Sequence, residues 1–254
     1  MKITQKFIFL GFIGVMSLLY ALKATNMQER GKVAKKFVLI TVLYNETNHD
    51  RIQEYINCLK NNLEHPLISQ IHVFYDSSKD GLTEEHIIRD FLNNHNVTIN
   101  DINGRVTYGD CFALANELYV GQSVIISNAD IYFNDSLSKL VDYDLTNKFL
   151  ALTRWNVRSD GKVVPYNVAW RRISQDTWIF EAPIRKFEND HIYIGTLECD
   201  SFIAYEAQKA GMQVLNPCLT VQCCHLHLSN IRNYDVNKHN KLPVGYRPAR
   251  WSRL

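Results

Sequence analysis

Residues 37–46 read Phe-Val-Leu-Ile-Thr-Val-Leu-Tyr-Asn-Glu. From Phe37 to Leu43 the run is apolar and β-branched, with no polar residue at every second place. Such a run describes a strand covered on both faces, as in the middle of a sheet layered by helices. Its end is abruptly polar, at Tyr44-Asn45-Glu46.

Outward from this strand the pattern alternates. Ile52, Tyr55, Ile56, Leu59 and Leu63 recur at helical spacing and predict a helix over Arg51 to Leu63. Ile71 to Tyr75 is a second strand, ending at Asp76 in the polar turn DSSKDG. Thr83 to Leu92 suits a helix, and Asp110 is placed to cap another that carries Phe112, Ala115 and Leu118. Val124 to Ile126 is a third buried strand, running directly into Ser127-Asn128-Ala129-Asp130. Strands over 149–153 and 177–180 follow, then a helix from Asp200 to Ala210 stopped by Gly211, then strands near Val214 and Val221. The alternation predicts an α/β fold with a single, mainly parallel sheet flanked by helices. The chain shows no internal repeat and no Gly-rich phosphate loop.

Composition narrows the function classes. At 46% hydrophobic and 21% charged residues, the chain can bury a core without metal or disulfide staples. Its 28 basic and 26 acidic residues leave a net charge of +2, which argues against nucleic acid as a partner. Arg247, Arg250 and Arg253 around Trp251 read as a solvated basic tail. None of the six cysteines forms a CxxC pair, which speaks against a zinc ribbon or thiol–disulfide motif. Cys223 and Cys224 face opposite ways on a strand, so one of them can pair with Cys199 or Cys218, and the question of a disulfide stays open.

The first residues read as a targeting segment. Lys2 and Lys6 precede an uncharged run from Phe7 to Leu22, closed by Lys23. Sixteen helical residues span roughly 24 Å, enough for a short signal anchor or for the apolar part of a signal peptide. The flanking charge leaves residues 1–6 cytoplasmic. Leu22 weakens the cleavage site at Ala24, so an uncleaved type II anchor is expected, with secretion after cleavage as the alternative. Residues 23–36 form a polar stem, and residues 37–254 a lumenal or extracytoplasmic domain. Sequons at Asn45, Asn96 and Asn134 agree with a secretory route.

Open α/β sheets bind ligands beyond the carboxyl ends of their strands. Tyr44-Asn45-Glu46, Asp76 and Asn128-Ala129-Asp130 all fall at such ends. Asp130 is wedged against Ile131, Tyr132 and Phe133, where a charge needs a partner or a cation. Mg²⁺ and Mn²⁺ need only one or two carboxylates when substrate phosphates complete the shell. His225 and His227 in Cys-Cys-His-Leu-His share one face of a strand and offer imidazoles to the same ion.

The order of these segments resembles the A-type-fold glycosyltransferases, the nucleotide-diphospho-sugar transferases, over residues 37–234. TVLYNE is similar to their first strand and donor loop, and FYDSSKDG to the turn whose aspartate holds the nucleobase. GDCFALAN is similar to the helix that follows, and IISNADIYF stands in the place of their Asp-x-Asp metal motif. SQDTWIF, ECDSFIAYEAQKAGMQVLNP and CHLHLSNIRNY look like the later segments of a subgroup. The departure is Asn128 at the first Asp-x-Asp position.

What the resemblance implies is transfer of a sugar from a nucleotide-sugar donor to a glycan, protein or lipid hydroxyl. Asp130 with His225 or His227 would hold Mn²⁺ or Mg²⁺. Tyr44, Asn45, Glu46, Asp76, Arg105 and Asn128 would contact the donor, and Trp155, Trp178 and Asp176 the acceptor. Asp200 would be the base that deprotonates the attacking hydroxyl. Two other readings compete: a membrane-anchored glycan- or nucleotide-sugar-binding module without catalysis, with Asn128 marking the loss, and a metal-dependent hydrolase built on the histidines.

Overall fold

A computed structural model of the chain describes residues 36–82, 84–166, 174–231 and 249–254. Residues 1–35, the expected targeting segment and all but the last residue of the expected stem (23–36), lie outside the described residues. Among the described residues no helix is long and apolar enough to cross a membrane.

The unbroken apolar run forms β1 (Phe37–Tyr44), which pairs with β2 (Ile68–Asp76) on one side and β4 (Ser123–Ser127) on the other. Phe37, Leu39 and Leu43 enter one hydrophobic cluster, and Val38 and Ile40 enter a second. Successive side chains leave a strand on opposite faces, so both faces must be apolar. Helices α1 (His49–Glu64) and α2 (Ile87–Asn93) fill the first cluster through Ile52, Tyr55, Ile56, Leu59, Ile88 and Leu92. Helices α3 (Tyr108–Leu118) and α4 (Cys199–Lys209) fill the second through Tyr108, Phe112, Ala115, Ile203 and Ala207.

The remaining strands are β3 (Thr98–Ile102), β5 (Ile131–Phe133), β6 (Lys148–Leu152), β7 (Trp155–Val157), β8 (Val163–Pro165), β9 (Thr177–Glu181), β10 (Gln213–Leu215) and β11 (Cys223–His225). The large sheet has seven strands in the order β10-β6-β9-β4-β1-β2-β3. Six run the same way, and β9 runs against β4 and β6.

The expected single sheet is therefore corrected. A second sheet of four strands, ordered β5-β11-β7-β8, stands beside the first. Its strands have three residues each, too few for any periodicity to register. Edge strand β3 escaped for a different reason: its sequence TINDI is mostly exposed and carries no apolar run.

Helix ends differ in instructive ways. Thr107, not Asp110, caps α3; Asp110 stands three residues on and closes a capping box by accepting from the Thr107 backbone N–H. Helix α4 begins at Cys199 after Glu198 in a left-handed conformation, and Gly211 (φ 79°) follows its end, as a C-terminal stop requires. All six cysteines are buried and free, so no disulfide joins the described residues. Of the three sequons, Asn96 is exposed while Asn45 is only 2% exposed in the fold.

Candidate functional site

Because β1, β2 and β4 run parallel, their carboxyl ends open on one edge of the large sheet. At that edge β4 gives way to Asn128-Ala129-Asp130 and then to β5, which leaves for the second sheet. Strand β11 lies antiparallel to β5, with His225 opposite Ile131. A further bond from Leu226 N–H to the Asp130 carbonyl (2.9 Å) fixes the register. This pairing brings together residues 95 and 97 positions apart in sequence.

Asp130, 6% exposed, is the centre of the site. Its Oδ2 accepts from Arg51 Nη2 at 2.6 Å and lies 3.1 Å from His225 Nε2. Its Oδ1 is buried with no hydrogen-bond partner, and so is His227 Nε2. Ligand atoms of Asp130, His225 and His227 all lie within 4.8 Å of one another. The two imidazole rings stand 5.4 Å apart, tilted by 68°. Burial opposes ionisation of Asp130, but His225 and Arg51 outweigh it and hold the carboxyl far below its usual range. Burial, with the nearby charges of Arg51 and His225, pushes the His227 imidazole down, toward the neutral form that keeps a lone pair.

These residues fit a divalent cation. Of the cluster of one carboxylate and two imidazoles, Asp130 Oδ1 and His227 Nε2 are otherwise orphaned inside the protein and form the donor pair, while His225 Nε2 is engaged with Asp130 Oδ2. A cation there would polarise and neutralise a phosphate leaving group.

Two charged residues absent from the sequence-based expectation complete the site. Helix α1, capped by the Asn48 side chain on Arg51 N–H (3.0 Å), presents Arg51 and Glu54 on its buried side. Arg51 donates to Asp130, to Glu54 Oε2 (2.7 Å) and to Tyr55 Oη (3.1 Å), and its guanidinium lies 4.5 Å from the Tyr55 ring centre. Both lie beside the apolar stripe of Ile52, Tyr55 and Ile56, on the flank where Cys58 and Asn62 are also buried, so the stripe itself does not mark them.

Arg154, just past β6, binds Asp176 Oδ1 and Oδ2 (3.1 and 3.3 Å) and covers the Tyr166 ring at 4.2 Å. Asn128 Nδ2 donates to the same Asp176 Oδ1 at 3.0 Å. Asn128 is thus a bridge between the strand tip and Asp176, whereas an aspartate there would face a second carboxylate. Asp200, half-buried in the first turn of α4, accepts from Gln175 N–H at 2.8 Å. Burial pushes its carboxyl up to about 6; the charge of Asp176 adds to the rise, and backbone N–H groups of Gln175 and Ser201 oppose it. Asp200, Asp176 and Asn128 therefore form one connected group beside Asp130.

The other expected contacts divide. Asp76 ends β2 at the same edge, its Oδ1 accepting from Ser78 and Gly104 N–H groups, each at 3.0 Å. One strand separates it from β4, so it joins the edge and not the Asp130 group. Asn45 Nδ2 lies 3.3 Å from His86 Nδ1. Glu46 is buried, with Oε1 accepting from Thr47 and Asn48 N–H and Oε2 from Tyr44 Oη, so the pair Tyr44–Glu46 shapes the turn into α1. Arg105 lines a groove of about 380 Å³ with Asn100, Asn103, Asp110 and Glu117, on the α3 side of edge strand β3.

Trp155, on β7 of the second sheet, donates its indole N–H to Cys218 O (2.8 Å) in the turn ahead of β11. Trp178 requires a correction. It is 1% exposed in the core, edge-on to Tyr108 at 4.9 Å, and no acceptor can reach it. A strand buried on both faces leaves its tryptophan no solvent side.

No family model matches the chain, and no curated protein does. Among solved structures it is similar to the mannosyltransferase PcManGT from Pyrobaculum calidifontis in complex with GDP-Man and Mn²⁺, at 17% identity over 82% of this chain and 64% of that one, TM-score 0.48. It is also similar to GalNAc-T7 with UDP, GalNAc and Mn²⁺, at 13% identity over 78% of this chain and 45% of that one, TM-score 0.47. A third is the 4-diphosphocytidyl-2C-methyl-D-erythritol synthase of Anaerococcus prevotii, at 14% identity over 80% of this chain and 92% of that one, TM-score 0.40. The chain thus spans less than two thirds of the length of the two glycosyltransferases.

Proposed function

We propose that this chain transfers a sugar from a nucleotide-sugar donor to a hydroxyl acceptor, assisted by Mn²⁺ or Mg²⁺. The observation that carries the reading is the meeting of Asp130, from a parallel-strand tip, with His225 and His227 around two orphaned ligand atoms. That is the edge where an α/β sheet receives phosphates.

Within this reading the chain's groups divide the work. Asp130 Oδ1 and His227 Nε2 would hold the cation, because Asp130 Oδ2 is already taken by Arg51 and His225. His225 and Arg51 fix the carboxylate so that its second oxygen points one way. A cation held there would supply neutralisation of the departing diphosphate. Asp200, with its carboxyl near neutrality, takes the proton of the attacking hydroxyl. Asp76 and Arg105 flank the donor side, and Trp155 and Asp176 the acceptor side. The anchored, lumenal placement of residues 37–254 belongs to the same proposal.

The test is transfer or donor hydrolysis over a panel of nucleotide sugars, with and without Mn²⁺. Asp130→Ala should abolish turnover, and His227→Gln should cost more Mn²⁺ dependence than His225→Gln. Turnover of Asp130→Ala close to the parent's would reject the reading.

A further inference from the structure

Strand β11 ends at His225, so His227 lies two residues beyond the last ladder position. Something else must fix it. Upstream, the Leu226 N–H bond to the Asp130 carbonyl does so. Downstream, apolar burial does not, since Leu228 is 48% exposed and Asn230 is in the left-handed region at φ 55°. The anchor is a carboxylate on a distant helix. Glu54 Oε1 accepts from Leu228 N–H (2.6 Å) and Ser229 N–H (2.7 Å), and its Oε2 accepts from Ser229 Oγ (3.0 Å) and Arg51 Nη1 (2.7 Å). Four donors converge on one buried side chain. The same helix turn carries Arg51, which holds Asp130.

We propose that Glu54 is the positioning residue that sets how tightly the Asp130–His227 site holds a divalent cation. Helix α1 works as a two-ended brace: Arg51 orients the carboxylate ligand, and Glu54 pins the segment that carries the imidazole ligand. His227 has no hydrogen bond on Nε2 to orient it, so its position relative to Asp130 Oδ1 depends on the backbone that Glu54 grips. Partners outside the ligand set commonly govern metal affinity in this way. The proposal rests on the cation reading given above.

The experiment measures Mn²⁺ binding to the full chain by electron paramagnetic resonance of the free ion, with Asp130→Ala as the variant lacking a ligand. Glu54→Gln keeps the size but loses the charge and turns an amide toward Arg51. It should weaken Mn²⁺ binding about 10- to 100-fold. Ser229→Ala, which deletes one of the four bonds, should weaken it in the same direction and by less. Asn116→Ala is the control for general loosening. It loses two bonds to the Ile184 backbone (3.0 and 2.7 Å) on the α3 side of the sheet, and should leave Mn²⁺ affinity unchanged. If the parent binds no Mn²⁺ that Asp130→Ala abolishes, the cation reading and this proposal fall together. If the parent binds and Glu54→Gln matches it, the proposal alone fails. It also fails if Asn116→Ala weakens binding as much as Glu54→Gln. Should Glu54→Gln not fold, Ser229→Ala decides, and parental affinity in that variant overturns the proposal.

Discussion

Replacing Arg51 by Met keeps the aliphatic stem and removes the charge that faces Asp130, Glu54 and Tyr55. Asp130 is then a buried carboxylate with one of its two neutralising partners gone. Breaking a buried ion pair from one side costs about 3–5 kcal/mol, far more than the pair contributes when both partners are replaced. For a chain of this size that corresponds to roughly 6–20 °C in the unfolding midpoint.

The sign with pH follows from the carboxyl. Asp130 is held below its ordinary value, so its stabilisation is present above about pH 4 and is lost as pH falls through the folded-state value. Without Arg51 that depression shrinks and Asp130 takes up a proton earlier. The gap between variant and parent should hold steady from pH 7 to about pH 4 and narrow only below it, where the variant's Asp130 protonates first. Urea unfolding followed by tryptophan fluorescence reads both. Adding Asp130→Asn to Arg51→Met should cost less than the two single losses summed, because neither charge is then stranded. A single variant within about 1 kcal/mol of the parent at pH 7, or an additive double variant, would refute the reasoning.

Other outcomes are expected. Asp200→Asn should lower transfer by about 10²–10⁴-fold while leaving donor affinity unchanged. In the parent, transfer should rise as pH passes about 6, where Asp200 loses its proton; a flat profile from pH 5 to 7 would exclude it as the base. The raised carboxyl also means that ionising Asp200 costs stability as pH climbs through that value, so Asp200→Asn should gain on the parent between pH 4 and 7, by comparative thermal denaturation. Trp178→Ala should cost about 3–5 kcal/mol of stability, and acceptor KM at a temperature where the variant stays folded should not move.

Long elements with one uninterrupted signal were legible in the sequence. The apolar runs of β1, β2 and β4, and the helical stripe of α1, are where the structure has them, because burial on both faces or along one face leaves a periodic trace. The polar strand tips were legible too, since parallel strands collect their ends on one edge. The second sheet was not, as three-residue strands such as β5 and β11 owe their form to pairing partners far away in sequence. Arg51 and Glu54 were missed because a charged pair three residues apart ordinarily marks a solvated helix face, and only the long-range contacts with Asp130 and Ser229 reveal that this face is buried. Trp178 misled for the opposite reason: an aromatic residue beside polar neighbours looks like a sugar platform until the strands on both sides of β9 are known.

Strand β9 is the one member of the large sheet that runs the other way, so it begins where its neighbours finish. Length changes should therefore be tolerated unevenly along it. One residue added before Thr177 would slip Asp176 and Gln175 to the opposite side of the chain, away from Arg154, Asn128 and Asp200. One residue added after Glu181 would fall at the far rim and leave that chain of contacts whole.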